Sequence, residues 1–242
     1  MLPQLEKILE ESQRVVFFGG AGVSTESGIP DFRSVDGLYH QQYAYPPETI
    51  LSHTFWARMP EEFYRFYRSK MLVEGAQPNA AHKRLAALEA EGKLTAVVTQ
   101  NIDGLHQMAG SKTVYELHGS VHRNYCTRCG KFYGADAIRH STGVPRCSCG
   151  GVIKPDVVLY EEPLDQQVMA GAVRAIRRAD TLIVGGTSLA VYPAAGLLQY
   201  FQGEQLVVIN MQPTQADRMA TLCIQKPIGQ VLDPDFHFPE EG

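Results

Sequence analysis

Short apolar runs alternate with amphipathic stretches along most of the chain. The runs that suit strands buried on both faces, each too short for a helix, are 15–18, 94–98, 114–117, 181–184 and 205–209. The spacing of apolar residues predicts helices over 2–12, 54–72 (two short helices with an aromatic stripe expected in the core), 79–91, 164–179 and from Pro193 onward. This alternation predicts an α/β fold: a Rossmann-like parallel sheet with helices on both faces.

Polar or glycine-rich residues follow each of these strands. They are Gly19-Gly20, the string 99–104, His118-Gly119, Thr187-Ser188 and Asn210. In open parallel sheets, ligands bind outside the carboxyl ends of the strands. We therefore expect these segments to line one crevice.

The first of these segments has the character of a phosphate-binding turn. Gly20 and Gly22 allow the backbone to approach an anionic ligand closely, and the N–H groups of such a loop point at it. A P-loop is excluded because 8–69 contains no lysine, and the dehydrogenase fingerprint fails because Thr25 replaces its third glycine. The glycines alone leave open a tight turn without a ligand. A plain phosphate loop has no need of the string Asp31-Phe32-Arg33.

Four of the five cysteines form a C-x2-C-x17-C-x-C pattern: Cys126, Cys129, Cys147 and Cys149. Paired cysteines in such turns point their thiolates at one ion, and four thiolates leave a tetrahedral zinc ion with no open position for water. We predict one structural zinc ion, with a disulfide or a redox role as the alternative. Cys223 is alone in the sequence and is predicted to pack in the core.

His118 is the histidine best placed for chemistry, because it ends an apolar strand at the ligand edge of the sheet. A neutral imidazole there could act as a general base near pH 7, and a hydrogen-bonded core histidine is the alternative. Asn101 and Asp103 follow another strand. They could bind a carboxamide or hold a water, and Asx turns that cap the loop would explain them equally well.

Together these motifs resemble the sirtuin family of NAD-dependent protein lysine deacylases, in the family's order and over nearly the whole chain. The matching strings are Gly20-Ala21-Gly22-Val23-Ser24, Gly28-Ile29-Pro30-Asp31-Phe32-Arg33, TQNIDGLH at 99–106, His118-Gly119, the four cysteines, Gly186-Thr187-Ser188-Leu189, Val191-Tyr192-Pro193-Ala194 and Val208-Ile209-Asn210. The resemblance implies a bacterial-type enzyme that takes NAD as co-substrate and acetylated lysine in proteins or peptides as substrate.

By this resemblance, the residues that contact NAD are Gly20, Ala21, Gly22, Thr25, Asp31, Phe32, Arg33, Gln100, Ile102, Asp103, Thr187, Ser188, Asn210 and Ile228. Of these, Ile102 and Asp103 line the nicotinamide pocket, and the last four lie on the adenosine side. His118 and Asn101 are the implied catalytic residues. In the implied reaction nicotinamide leaves, the acetyl oxygen attacks the ribose, and His118 deprotonates a ribose hydroxyl. Free lysine and O-acetyl-ADP-ribose result.

The substrate peptide is implied to lie as an added strand between two segments. These are Val157, Val158, Leu159 and Tyr160 on one side and Leu189, Ala190 and Val191 on the other. In the family the first segment often ends in Phe-Gly-Glu, whereas here Glu161 replaces the glycine. We hypothesise that Glu161 and Glu162 favour basic peptides.

The acyl preference is also suggested by the resemblance. Family members that prefer succinyl or malonyl lysine carry Tyr-x-x-Arg in the helix before the Pro-Asn string. Two registers place Phe66 and Ser69, or Tyr64 and Tyr67, at these positions. Neither register supplies an arginine, so a neutral acyl group is predicted, although Arg65 and Arg68 lie nearby. The alternatives to deacetylation are protein mono-ADP-ribosyl transfer at the same NAD site and non-catalytic NAD sensing by a zinc-ribbon binding protein.

The length of 242 residues allows one large domain with an insertion. We predict a Rossmann-like NAD-binding domain of 1–33, 76–120 and 152–242, a cofactor loop and helical part of a small module at 34–75, and its zinc-binding part at 121–151. The net charge of −4 argues against nucleic acid binding, and no apolar run has the length of a membrane span. Because the N-terminus lacks a signal-peptide pattern, we expect a cytoplasmic protein. We also expect it to act as a monomer.

Overall fold

A computed structural model of the protein describes residues 2–31 and 44–238. The strands are β1 Val15–Gly19, β2 Leu94–Thr99, β3 Val114–Glu116, β4 Asn124–Cys126, β5 Phe132–Tyr133, β6 Ile153–Pro155, β7 Thr181–Gly185, β8 Gln205–Ile209 and β9 Leu222–Ile224. The α-helices are α1 Pro3–Glu11, α2 Pro47–Ile50, α3 His53–Arg58, α4 Pro60–Lys70, α5 Ala80–Ala90, α6 Leu105–Ala109, α7 Asp136–Arg139, α8 Gln166–Arg178 and α9 Ile228–Leu232. Short 3-10 helices lie at Ala21–Val23, Thr25–Ser27, Ala194–Tyr200 and Gln215–Arg218.

Six strands form one parallel sheet in the order β3-β2-β1-β7-β8-β9. The chain continues from β1 outward through β2 on one side, and from β7 outward through β8 on the other. The strand order therefore reverses between β1 and β7, and the loops that follow these two strands leave a crevice at their carboxyl ends. The predicted fold class is confirmed.

Helices cover both faces of this sheet. One face packs against α1, α5 and α9 through buried residues such as Leu5, Leu85 and Val231. The other packs against α8 and the 3-10 helix Ala194–Tyr200, for example through Ile176. Strands β1 and β7 are buried along their whole length, which is why their sequences are continuously apolar. None of the helices in the described ranges is long and apolar enough to cross a membrane.

A smaller unit contains the antiparallel sheet β5-β4-β6 and the helices α2, α3, α4 and α7. The aromatic stripe forms its core, as predicted, because Phe63, Tyr64 and Tyr67 are fully buried. The Tyr64 hydroxyl donates to Ile153 O at 2.7 Å and accepts from Trp56 Nε1 at 3.0 Å. These two bonds connect α4 to β6 and to α3.

The far edge of the large sheet differs from the sequence prediction. The strand β9 and the helix α9, of 3 and 5 residues, are too short to show a period and are not predicted. The prediction that Cys223 packs in the core is wrong, because this thiol is exposed. Successive side chains of a strand point to opposite faces, and in the edge strand β9 the face that carries Cys223 is exposed, whereas Ile224 on the other face is buried.

Candidate active site

The glycine turn after β1 packs against the turn after β7. Gly22 N donates to Gly186 O at 2.8 Å. A Cβ on Gly20 would lie 2.9 Å from Thr187 Cβ, and a Cβ on Gly22 would lie 2.8 Å from Gly186 Cα. Both positions require glycine at this close approach, and the two turns form one floor at the point where the strand order reverses.

Ser24, Asn101 and Asp103 form a hydrogen-bonded cluster beside this floor. Ser24 Oγ donates to Asp103 Oδ2 at 2.7 Å and accepts from Asn101 Nδ2 at 3.0 Å. Asp103 Oδ1 accepts from Leu105 N at 2.9 Å, so Asp103 also caps its own loop. Ser24 belongs to the glycine string that resembles the family, but it is not among the residues predicted to contact NAD or to act in catalysis. Its position directly after the glycine turn is the signal that could have identified it.

Gln100 connects the floor to His118. Its side-chain Nε2 donates to Thr187 Oγ1 at 3.1 Å, and its backbone carbonyl oxygen lies 3.1 Å from His118 Nδ1. Because a carbonyl oxygen only accepts, Nδ1 carries the proton, and Nε2 of the neutral ring has the free lone pair. Burial lowers the pKa of His118 below the ordinary 6.5, against a smaller upward effect of the Gln100 carbonyl. The imidazole is therefore neutral at pH 7 and can accept a proton at Nε2.

A segment that we call the strap, residues 156–162, runs past His118. Val158 N donates to His118 O at 2.9 Å. Gly119 has a φ of +73°, and a Cβ on it would lie 1.7 Å from Asp156 O. The glycine therefore allows the strap to lie directly against the loop that carries His118.

Arg123 connects the strap to the large sheet. Its Nη1 lies 2.6 Å from Glu116 Oε2, and its Nε lies 2.7 Å from Asp156 Oδ2. Glu116, at the end of β3, is buried and is balanced by this ion pair. One sequence gives no signal for such a contact, because the partners of Arg123 are 7 and 33 residues away.

The residues predicted to bind peptide differ in exposure. Val157, Leu159 and Leu189 are buried, Val158 and Val191 are half-buried, and Tyr160 and Ala190 are exposed. Leu189 has a φ of +53°, and its carbonyl accepts from Gln215 Nε2 at 3.0 Å. The exposed side chains are the ones available to a bound molecule, whereas the buried ones fix the two segments in the fold.

The structure places most of the other predicted NAD contacts at the ends of the strands. Ser188 is exposed after β7, and Asn210 Nδ2 donates to Gln212 O at 2.7 Å after β8. Ile228 is different, because its side chain is buried in the core between α9 and the sheet. A Cβ on Gly185 would lie 2.3 Å from Ile228 Cδ1.

Around the glycine turn, Ala21 and Ile102 are half-buried and Thr25 is exposed. Thr25 Oγ1 donates to Gly22 O at 2.9 Å. Asp31 is half-buried and is the last residue described before the gap. Phe32 and Arg33 lie outside the described residues.

The four cysteines of the pattern converge as predicted. Their Sγ atoms all lie within 4.8 Å of one another, with Cys126 and Cys149 at 3.4 Å and Cys129 and Cys147 at 3.6 Å. Thiolates about 2.3 Å from a tetrahedral zinc ion are about 3.8 Å apart. The separations fit zinc and far exceed the roughly 2.05 Å of a disulfide bond.

Two buried histidines lie behind the polar cluster, His82 on α5 and His106 on α6. Their ring centroids are 4.7 Å apart. Within the described part of the chain, neither ring nitrogen of His106 has a hydrogen-bond partner. Burial lowers the pKa of His82 to about 4, against an upward effect of Asp103. Burial, with repulsion from His82, lowers the pKa of His106 to about 3.

We expect the free energy of unfolding to fall as the pH is lowered from about 6.5 to 4. An unfolded chain protonates His106 near its ordinary pKa of 6.5, whereas the folded protein protonates it only near pH 3. A depressed folded pKa means that stability is present above the unfolded pKa and is lost as the pH falls. The loss is about 1.4 kcal/mol per pH unit for each such histidine. Urea titrations at a series of pH values measure this slope.

His106→Phe should flatten the dependence of the unfolding free energy on pH without lowering stability at pH 7. The substitution removes no hydrogen bond, because neither ring nitrogen of His106 has a partner in the described part of the chain. His82→Phe is the matched comparison. It should flatten the slope too, but also destabilise at pH 7, since His82 Nδ1 accepts from Asn79 N at 3.3 Å. An unaltered slope in both variants would contradict the assignment.

Comparisons with known proteins agree with this geometry. The model of the Sir2 family matches residues 20–193. An NAD-dependent protein deacetylase of Clostridium perfringens (strain 13 / Type A) is 60% identical over 233 residues, which cover 95% of this chain and 96% of the relative. A protein of the same description from Clostridium acetobutylicum is 59% identical over 234 residues, with 95% and 96% covered.

Solved structures show the same similarity. A Sir2 structure with a deacetylated p53 peptide and 3'-O-acetyl ADP ribose is 41% identical, with a TM-score of 0.87 over 95% of this chain and 94% of that chain. A Sir2 homologue in complex with ADP ribose is 38% identical, with a TM-score of 0.88 over 96% and 94%. The family model matches most of the chain, the relatives and solved structures match nearly its whole length, and the chain belongs to the Sir2 family.

Proposed function

We propose that the protein removes acetyl groups from lysine side chains of proteins or peptides and consumes NAD in doing so. The observation that carries the proposal is the neutral His118, whose Nδ1 binds the backbone carbonyl of Gln100 while the Gln100 side chain binds Thr187 of the floor. The Ser24–Asn101–Asp103 cluster lies beside the same floor. The two clostridial relatives are described as enzymes of this activity.

We propose that NAD is bound along the carboxyl ends of β1, β2, β7 and β8. Gly20, Ala21, Gly22 and Thr25 surround the diphosphate, where a turn without side chains lets backbone amides approach the anion. Asp31 and Gln100 contact the ribose on the nicotinamide side. Phe32 and Arg33, which lie outside the described residues, are NAD contacts that the family resemblance implies. Thr187, Ser188 and Asn210 bind the adenosine side, and Ile228 supports it from the core.

At the nicotinamide end, Ile102 packs against the ring and Asp103 accepts from its carboxamide. Asn101 keeps Ser24 and Asp103 in place and holds a water. When nicotinamide has left and the acetyl oxygen has attacked the ribose carbon, His118 Nε2 takes the proton of a ribose hydroxyl. The alkoxide so formed attacks the acyl carbon, the protonated His118 gives its proton to the lysine nitrogen, and the C–N bond breaks to free the lysine amine. Water then adds to the acyl carbon left on the ribose and gives O-acetyl-ADP-ribose.

The peptide lies as an added strand between the strap and the segment 189–191. The acyl group is neutral, because neither register of the Tyr-x-x-Arg comparison supplies an arginine, and the two arginines nearby in the sequence have partners within the protein. Arg65 pairs with Glu62, and Arg68 Nη1 donates to Gly143 O at 2.9 Å. A cavity of about 140 Å³ between α2, α3 and α4 is lined by Arg65, Phe66 and Ser69 among others, and the Glu62 partner of Arg65 lines it too.

The four thiolates would hold one structural zinc ion, which joins β4 to the segment before β6 and leaves no position for a reacting water. We propose the domain division 1–33, 76–120 and 152–242 against 34–75 and 121–151. We also propose that the protein works in the cytoplasm as a monomer and does not bind nucleic acid. The net charge of −4 supports the last point.

The proposal is tested by incubating the protein with a panel of acyl-lysine peptides, with and without NAD, and analysing the products by mass spectrometry. We expect nicotinamide and free lysine only when NAD and an acetylated peptide are both present, and no turnover of succinylated peptide. Labelled NAD incorporated into protein without peptide would favour mono-ADP-ribosyl transfer instead. Binding of NAD without any product would favour a sensor.

A further inference from the structure

Glu161, near the end of the strap, has a backbone conformation that residues other than glycine rarely adopt. Its φ is +75°, in the left-handed region. Such strain persists only where the surroundings maintain it. The contacts of Glu161 therefore indicate what the conformation serves.

The Glu161 carboxylate is bound to the first turn of α3. One oxygen, Oε2, accepts from Thr54 N at 2.9 Å and from Thr54 Oγ1 at 2.7 Å. Amides in the first turn of a helix have no partner within the helix. Ser52 Oγ accepts from one of them, Phe55 N, at 3.1 Å, and Glu161 accepts from another.

The neighbouring strap residues bind the same part of the chain. Tyr160 N donates to Leu51 O at 2.9 Å, and His53 N donates to Tyr160 O at 3.0 Å. Glu162 Oε1 lies 2.8 Å from His53 Nδ1. The end of the strap is thus attached to the start of α3 through backbone and side-chain bonds at successive residues.

Both carboxylates are engaged within the protein. Glu162 Oε2 accepts from Lys154 Nζ at 3.0 Å and from Leu159 N at 2.9 Å, so its charge is balanced by a lysine. This geometry gives no support to the hypothesis that Glu161 and Glu162 attract basic peptides. Their contacts join the strap to the start of α3 and to Lys154.

We propose that Glu161 is a positioning residue that fixes the strap on α3, so that the peptide-binding residues 157–160 are ordered before a peptide arrives. The proposal deepens the deacetylase function and rests on it. An edge that is already ordered spares the peptide the entropy of ordering it, so the effect falls on peptide affinity and not on NAD affinity.

Three substitutions separate the acceptor, the charge and the backbone strain. Glu161→Gln keeps one oxygen that can accept both bonds, because a single oxygen accepts both in the native protein. Glu161→Ala removes the acceptor and retains the strain, and Glu161→Gly removes both. We expect the alanine and glycine variants to raise KM for an acetyl-peptide about fivefold with KM for NAD unchanged. They should also speed amide hydrogen exchange over 157–162 in the free protein, and Glu161→Gln should restore both values.

Native exchange and native peptide KM in Glu161→Ala would overturn the proposal. A second result would also overturn it: Glu161→Gln behaves like Glu161→Ala, and both change the preference between acidic and basic acetyl-peptides. The negative charge of Glu161 would then be the cause of the effect on KM. Native peptide KM and native exchange in Glu161→Gly would overturn it as well. The changes in Glu161→Ala would then come from the retained backbone strain and not from the lost acceptor. Because exchange is measured without substrate, it decides the role of Glu161 even if no peptide is deacetylated, an outcome that would count against the proposed function alone.

Discussion

Replacing His118 with alanine is expected to lower kcat for deacetylation by about 10²- to 10⁴-fold, the usual contribution of a positioned general base. NAD binding should survive, because the glycine floor and the Gln100–Thr187 bond do not depend on the imidazole. The residual activity of His118→Ala should also lack the fall in kcat/KM that the native enzyme shows at low pH. The base must be neutral, and burial lowers its pKa below 6.5. Native kcat/KM should therefore fall as the pH drops through that lowered pKa and stay level near neutrality.

His140→Ala is the matched control, since this histidine is exposed and its Nε2 lies 4.0 Å from Asp136 Oδ1, far from the strand ends that form the crevice. Steady-state kinetics with an acetyl-peptide, together with calorimetric titration of NAD, separate loss of chemistry from loss of binding. Native turnover in His118→Ala would overturn the assignment of the base. A loss of NAD affinity equal to the loss in kcat would show instead that the ring supports the floor.

The convergence of strand ends could be predicted because it follows from one rule. Continuous apolar runs identify strands buried on both faces, and parallel strands bring their carboxyl ends to one edge. Gln100, His118 and Thr187 meet at that edge, as the order of polar strings in the sequence implies. The cysteine cluster could also be predicted from the sequence, because metal-ligand spacing is a local property of the chain.

Contacts that join distant segments could not be predicted in this way. The ion pairs of Arg123 depend on how β3 and the strap come together in three dimensions. The exposure of Cys223 depends on β9 being an edge strand with one uncovered face, a property of the sheet and not of the local sequence. Glu161 marks an unusual position in the sequence, but only its φ and its bonds to Thr54 show why a carboxylate there is accommodated.

Replacing Gly119 with alanine is expected to destabilise the protein by about 3 kcal/mol or more and to lower kcat/KM at least about tenfold. Two physical causes add at this residue. Its φ of +73° is unfavourable for any residue with a side chain, and the new Cβ would lie 1.7 Å from Asp156 O. Backbone cannot rotate away as a side chain can. The strap must therefore move off the loop, and the Val158 N to His118 O bond of 2.9 Å must break.

Gly92→Ala is the control that isolates the conformational cause. Gly92 has a φ of +75° with nothing within 4 Å of its Cβ position, so alanine there should cost only about 1 kcal/mol. Urea unfolding of both variants measures the difference, and kinetics with an acetyl-peptide measure displacement of His118. Equal stability of Gly119→Ala and Gly92→Ala would mean that the strap yields without cost, and the close packing against the loop of His118 would then not be what positions the base.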